Sequence, residues 1–226
     1  MNAHHNLAPA VFFDMDGVLI DSEPVWQEVI EDVYAELGMS LTPEMRAHTM
    51  GMGNHESVHY VLSLHPGVKA DVAAVSRKIN DRMLRRIGEG LGGIPGSDEL
   101  IRELAGRGVP LALVSTSASA LMQAAIRAHR FEGLFRLVLS AEVVGPSKPD
   151  PAVYREAVRR LQADPARSVA IEDTVNGTRS AHGAGLRVVS FTNDPAVIAR
   201  VQGVAWQVAG DFAAVRRLVF SALGLS

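Results

Sequence analysis

Ala10-Val11-Phe12-Phe13-Asp14-Met15-Asp16-Gly17-Val18-Leu19-Ile20-Asp21 decides how the chain is read, because an apolar run of β-formers drives straight into two carboxylates and a glycine. The run shows no polar alternation, so it predicts a strand buried on both faces. Ionised carboxylates inside such a strand would be costly, which places Asp14 and Asp16 at its carboxyl end, where a cleft opens. If both lay on the strand they would share a face. Like charges about 4 Å apart repel by ~4 kcal/mol at an effective dielectric of roughly 20, and a bound cation removes that penalty. Alternatively the turn begins at Asp14, and Gly17 swings Asp16 round towards a substrate.

Working outward, 226 residues at 47% hydrophobic can bury a sizeable core as one domain or as one domain with an insertion. A net charge of −3 carries no basic excess, so nucleic acid is not an expected partner. With no cysteine, the chain has neither disulfides nor thiolate metal sites, which suits a cytoplasmic location. Met1-Asn2-Ala3-His4-His5-Asn6 places no Lys or Arg before an apolar stretch, so no secretory leader is expected. No apolar run approaches the length of a membrane span, and a monomer outside the membrane is the expectation.

After the first strand the period changes. Val25, Val29, Val33 and Leu37 recur every four residues until Gly38, Pro24 suits a first helical turn, and Ser22 and Glu23 are its candidate caps. Thr42-Pro43 opens a second helix, and 55–64 and 72–87 read as a third and fourth. No strand is expected between Pro24 and Gly88. This helical block interrupts an otherwise alternating chain and reads as an inserted cap at 23–90, with the core made of 1–22 and 91–226. The glycine-rich stretch from Gly88 to Gly96 and the segment from Asp21 to Pro24 would be the two hinges. Beyond it, Ser97 is read as capping a helix, and apolar strands are expected at 109–114, 134–139, 168–171, 186–191 and 204–208, each followed by a helix. That alternation predicts an α/β fold with a doubly wound, parallel, Rossmann-like sheet and a small all-helical cap.

In such a sheet the carboxyl ends of the strands line one crevice. Asp14 and Asp16, Ser115 and Thr116, and Glu172 and Asp173 each follow an apolar strand, and Lys148 sits between prolines just before a helix. Hard oxygen donors select Mg²⁺. A metal, a lysine and hydroxyls suit a phosphoryl group, whose transfer depends on positioning and charge neutralisation.

Phe13-Asp14-Met15-Asp16-Gly17-Val18, Val114-Ser115-Thr116, Lys148-Pro149-Asp150 and Ile171-Glu172-Asp173 resemble, in order, the four motifs of the haloacid dehalogenase superfamily. The insertion lies where the subgroup with a small helical cap carries it. The resemblance implies that Asp14 is the nucleophile, forming an aspartyl-phosphate, and that Asp16 is the general acid and base. It implies that Ser115 binds the transferring phosphoryl group and that Lys148 offsets charge. Mg²⁺ would be held by Asp14, the Asp16 carbonyl, Asp173 and Glu172, the last directly or through water. Asp16 argues against the dehalogenases themselves, which lack a second Asp. The expected activity is Mg²⁺-dependent hydrolysis of a small phosphate monoester, a sugar or polyol phosphate. Glu23, Asn54, Thr116 and Ser117 are the candidate substrate-binding residues.

Three rival readings remain. A β-phosphoglucomutase-like phosphomutase resembles the chain, but its cap histidine falls here on Trp26 and its phosphate-gripping cap arginine on Asn54. A catalytically idle binding protein is disfavoured because every catalytic position is filled. His55-Glu56-Ser57-Val58-His59 matches the zinc-protease pattern H-E-x-x-H, with His65 as a third ligand. The glycine that would break the helix is replaced by Leu62, and a continuous helix would turn His65 about 80° away from His55.

Overall fold

A computed structural model describes residues 7–226, so the expectation drawn from residues 1–6 lies outside the described residues. Among them, six parallel strands form one sheet in the order β3-β2-β1-β4-β5-β6: β1 (Val11–Phe13), β2 (Leu111–Ser115), β3 (Leu137–Ser140), β4 (Val169–Glu172), β5 (Arg187–Phe191) and β6 (Gln207–Ala209). The order reverses at β1, between β2 and β4, which is where ligands bind in open α/β sheets.

Alternation along β1 sorts its residues between two layers. Val11 and Phe13 pack into a core shared with α5 (Ser97–Gly106), α6 (Ser119–Ala128) and α10 (Phe212–Leu223). Phe12 faces the opposite core, built with α7 (Ala152–Leu161) and α8 (Val175–Gly183). α9 (Pro195–Val201) connects β5 to β6. The sheet is doubly wound as the alternation predicts.

The inserted block is helical throughout: α1 (Glu23–Glu36), α2 (Pro43–Thr49), α3 (Asn54–Ser63) and α4 (Val72–Gly88). Val29 and Val33 of α1, Val58 and Val61 of α3, and Ile79 and Met83 of α4 are buried in a cluster continuous with one side of the sheet. α4 packs against α1 and α3 and also against core helix α6. The two linkers between core and cap lie side by side, with Asp21 N–H donating to Gly92 C=O (2.9 Å) and Ile94 N–H to Leu19 C=O (2.9 Å).

Several local expectations are corrected. β1 stops at Phe13, so Asp14 and Asp16 are not neighbours on a strand. The chain turns at once: Gly17 takes φ +72°, and the N–H groups of Leu19 and Ile20 both donate to Met15 C=O. Ser97 is not a cap. Gly96 holds that position at φ +88°, where a Cβ would lie 2.6 Å from Phe212 Cβ, and Ser97 Oγ donates to Leu19 C=O instead (3.3 Å). The strands at β2 and β3 start two and three residues later than the apolar runs, and β6 covers only Gln207–Ala209. Apolar character continues through loops that cross the core, so hydrophobicity alone overextends a strand.

Candidate active site

Each sheet motif delivers its polar residues at the carboxyl end of its strand. Asp14 follows β1, its N–H donating to Ile171 C=O on neighbouring β4 (3.1 Å), while Glu172 ends β4 and Asp173 follows. Lys148 enters from the loop before α7, and its peptide bond to Pro149 is cis. Its ammonium is buried and all three donors are used: Asp14 Oδ1 (2.7 Å), Glu172 Oε1 (2.6 Å) and Val114 C=O (3.1 Å). Burial pulls the Lys148 pKa down, but Asp14 and Glu172 more than offset this and hold it above the ordinary lysine value.

The carboxyl groups outnumber that one cation. Burial is the largest influence on Asp14 and, against the pull of Lys148, raises its pKa to about 8, with Glu172 and Asp16 adding to the rise. Burial likewise lifts Asp173 well above its usual value, with Asp14 and Glu172 adding repulsion. Asp14, Glu172 and Asp173 each offer an oxygen within 4.8 Å of the others'. Among the described residues, Glu172 Oε2 and Asp173 Oδ1 are buried without a hydrogen-bond partner. Hard, anionic oxygens converging with unspent acceptors fit a small divalent cation, which would reverse the upward push on these carboxyls. The glycines around the cluster make room for it. A Cβ at Gly17 would lie 2.1 Å from Asp173 Oδ2, and one at Gly177 would lie 1.8 Å from Glu172 Oε2.

Asp16 is held quite differently. Its Oδ1 accepts from Ser22 Oγ (2.5 Å) and from Trp26 Nε1 (2.8 Å), and its Oδ2 accepts from Ser117 Oγ (2.6 Å). Ser22 therefore does not cap α1 through its side chain, as the sequence led one to expect; its hydroxyl is spent on Asp16. The indole is a pure donor, and it ties the first turns of cap helix α1 to a core carboxylate.

The cavity above Asp14 is closed by the cap. Asn176 Nδ2 donates to Met50 C=O (3.0 Å), and Gly51 and Gly53 lie against Thr174 and Ser147 so closely that a Cβ would come within 3.0 and 2.6 Å of their hydroxyls. Of the residues expected to line the site, Asp14, Asp16, Lys148, Asp173, Glu23, Asn54, Thr116 and Ser117 all do. Ser115 lies behind this wall, buried, with its hydroxyl accepting from Ser117 N–H (3.0 Å). Asn54 donates its amide to Ser76 C=O (2.9 Å) and Asn80 Oδ1 (2.8 Å), inside the cap.

Three participants escaped the sequence reading. Tyr154 donates its hydroxyl to Glu172 Oε1 and lies under the Lys148 ammonium, 5.1 Å from nitrogen to ring centre. Burial holds that phenol well above its ordinary pKa, so it stays a neutral donor. Nothing in an amphipathic helix marks one tyrosine as special. Arg46 reaches the cavity from α2, paired to Glu31 (2.5 Å). Ser22 is the third. The zinc reading is overturned: α3 ends at Ser63, His55 and His59 are exposed, and among the described residues neither belongs to a metal-binding cluster. His65 Nδ1 is spent on Val61 C=O (2.8 Å).

A model of the haloacid dehalogenase-like hydrolase family matches residues 11–191. The chain belongs to this family. Protein CbbY of Cereibacter sphaeroides is 32% identical over 189 residues, covering 80% of this chain and 82% of that one. Hexitol phosphatase B of Escherichia coli K12 is 30% identical over 192 residues, covering 82% and 86%. Among solved structures, a variant of CbbY from Rhodobacter sphaeroides in complex with xylulose-(1,5)bisphosphate superposes with a TM-score of 0.79 at 28% identity, covering 92% of this chain and 96% of that one. As a haloacid dehalogenase-like hydrolase the chain is an enzyme. Among its described residues no helix is long and apolar enough to cross a membrane.

Proposed function

We propose that the enzyme hydrolyses a small sugar or polyol phosphate through an aspartyl-phosphate on Asp14, with Mg²⁺ as cofactor. The observation that carries this reading is the buried Lys148–Asp14–Glu172 triad beside Asp173, in a cavity that the cap closes. Lys148 holds Asp14 Oδ1, and among the described residues Oδ2 has no partner, which leaves that oxygen to attack phosphorus. As the Oδ2–P bond forms, the bond to the leaving oxygen breaks, and Asp16 gives that oxygen a proton. Trp26 can only donate to Oδ1, so the transferable proton belongs on Oδ2, where the Ser117 hydroxyl can turn and accept. Water then attacks phosphorus, Asp16 takes its proton, and the bond to Asp14 breaks.

Asp14, Asp173 and the Asp16 main-chain carbonyl would hold the metal. Glu172, whose Oε1 serves Lys148 and Tyr154, has Oε2 left for a direct or water-mediated contact. When bound, Mg²⁺ neutralises the carboxylates and the phosphoryl oxygens. Ser115 would orient the phosphoryl group from behind the cavity wall, and Thr116, Ser117, Glu23 and Asn54, which line the cavity, would contact the rest of the substrate.

Phosphate release from a panel of sugar and polyol phosphates tests this reading. Activity is expected with Mg²⁺ and is expected to vanish in chelator while the far-ultraviolet circular dichroism is unchanged. Full activity in chelator would sink the metal assignment. Glucose 1-phosphate supplied with a bisphosphate primer is expected to yield free phosphate and no isomer. Conversion to glucose 6-phosphate outrunning phosphate release would make the enzyme a mutase instead.

A further inference from the structure

We infer that the cavity admits only monophosphates of uncharged sugars or polyols and rejects a leaving group that bears a second phosphate. The inference rests on the phosphatase reading above and concerns the part of the cavity that the reaction chemistry leaves unused.

Beyond Asp14, Asp16, Lys148 and Asp173, the charged side chains lining the cavity are Glu23 and Arg46. Arg46 is paired, its Nη1 2.5 Å from Glu31 Oε1, so a second phosphate would have to compete with that carboxylate for it. Among the described residues Glu23 is therefore the cavity charge without an ionic partner, and it is negative; its hydrogen bond comes from the neutral amide of Gln27 (3.2 Å). Asn54 faces the cavity at the foot of α3, but both its N–H hydrogens are spent within the cap, on Ser76 and Asn80. What it offers a ligand is a carbonyl oxygen, an acceptor. Ser57 and Thr49 add hydroxyls, and Trp26, Ile30 and Tyr34 supply an apolar wall.

Among the described residues such a lining offers acceptors for sugar hydroxyls and no unpaired cation for a phosphate dianion. Desolvating a dianion there, beside Glu23, would leave its charge unpaired. Nor does the adjoining groove rescue it. That groove is lined by Glu56, Glu142 and Asp150 against Arg77. Like charges brought together in a binding site discriminate against the wrong partner.

The test compares kcat/KM for mannitol 1-phosphate and mannitol 1,6-bisphosphate, read as phosphate release with Mg²⁺. The monophosphate is expected to lead by at least about a hundredfold. Asn54→Arg, which supplies a cation, is expected to raise the bisphosphate value about tenfold or more. Glu23→Gln, an exposed position where folding is not at risk, is expected to narrow the gap several-fold. A wild-type bisphosphate value within tenfold of the monophosphate overturns the inference and leaves the phosphatase reading standing. Failure to release phosphate from either compound or from p-nitrophenyl phosphate overturns both.

Discussion

Asp14→Asn is expected to reduce turnover to background while the protein unfolds at nearly the same denaturant concentration as wild type. The amide keeps the side chain's volume, and its oxygen can still accept from Lys148. It cannot form the bond to phosphorus. Phosphate monoesters are among the slowest substrates to react unaided, with enzymic accelerations up to ~10²¹, so losing the covalent route leaves little. A variant retaining more than about a tenth of the wild-type rate would have lost only ~1.4 kcal/mol of barrier stabilisation, too little for a nucleophile.

Lys148→Met is expected to be costly twice over. Removing the ammonium leaves Asp14 and Glu172 buried around an apolar side chain, and breaking a buried ion pair from one side destabilises by about 3–5 kcal/mol. It also strips the charge that balances the phosphoryl group, and one lost electrostatic donor typically lowers kcat by about 10²–10³-fold. Denaturant unfolding and steady-state phosphate release, measured on the same preparation, separate the two effects. Tyr154→Phe serves as the milder companion, because it removes one donor from Glu172 and leaves the lysine in place. Wild-type stability and activity in Lys148→Met would mean that the triad is not the centre of the site.

The strand-end residues of the site could be found from sequence because each ends an apolar run. A carboxylate or hydroxyl that abruptly ends such a run must emerge from the sheet, and a parallel sheet sends all its carboxyl ends to one crevice. Asp14, Ser115, Glu172 and Asp173 were legible for that reason. The same logic says nothing about what Asp16 touches. Ser22 and Trp26 reach it because the chain folds back at Gly17 and lets α1 start over the carboxylate, and no local pattern encodes that return. Ser22 before Glu23-Pro24 has every local mark of a helix cap, yet the tertiary partner claims its hydroxyl.

The cap shows the same boundary. Its four helices follow from periodicity and from Pro and Gly punctuation, and Thr42 and Asp71 cap α2 and α4 through their side chains. Its docking does not follow. Gly51 and Gly53 matter because Thr174 and Ser147 lie against them, a contact between residues more than ninety positions apart. Tyr154 looks like any buried aromatic of a helix, and its hydroxyl bond to Glu172 emerges only once α7 lies across the sheet.

We propose that Asp14 carries the phosphoryl group in a covalent intermediate that Asp16 helps to form and to hydrolyse. Asp16→Asn separates the two steps, since a substrate with an activated leaving group needs no proton to react while the hydrolytic step still needs the base. Acid-quenching this variant during turnover of p-nitrophenyl phosphate and measuring the mass of the intact protein and its peptides is the most direct measurement. The expected result is up to one added phosphoryl group per chain, on the peptide that contains Asp14. An unmodified chain under conditions where p-nitrophenol is still released, or a phosphoryl group on any other residue, would rule Asp14 out as the nucleophile.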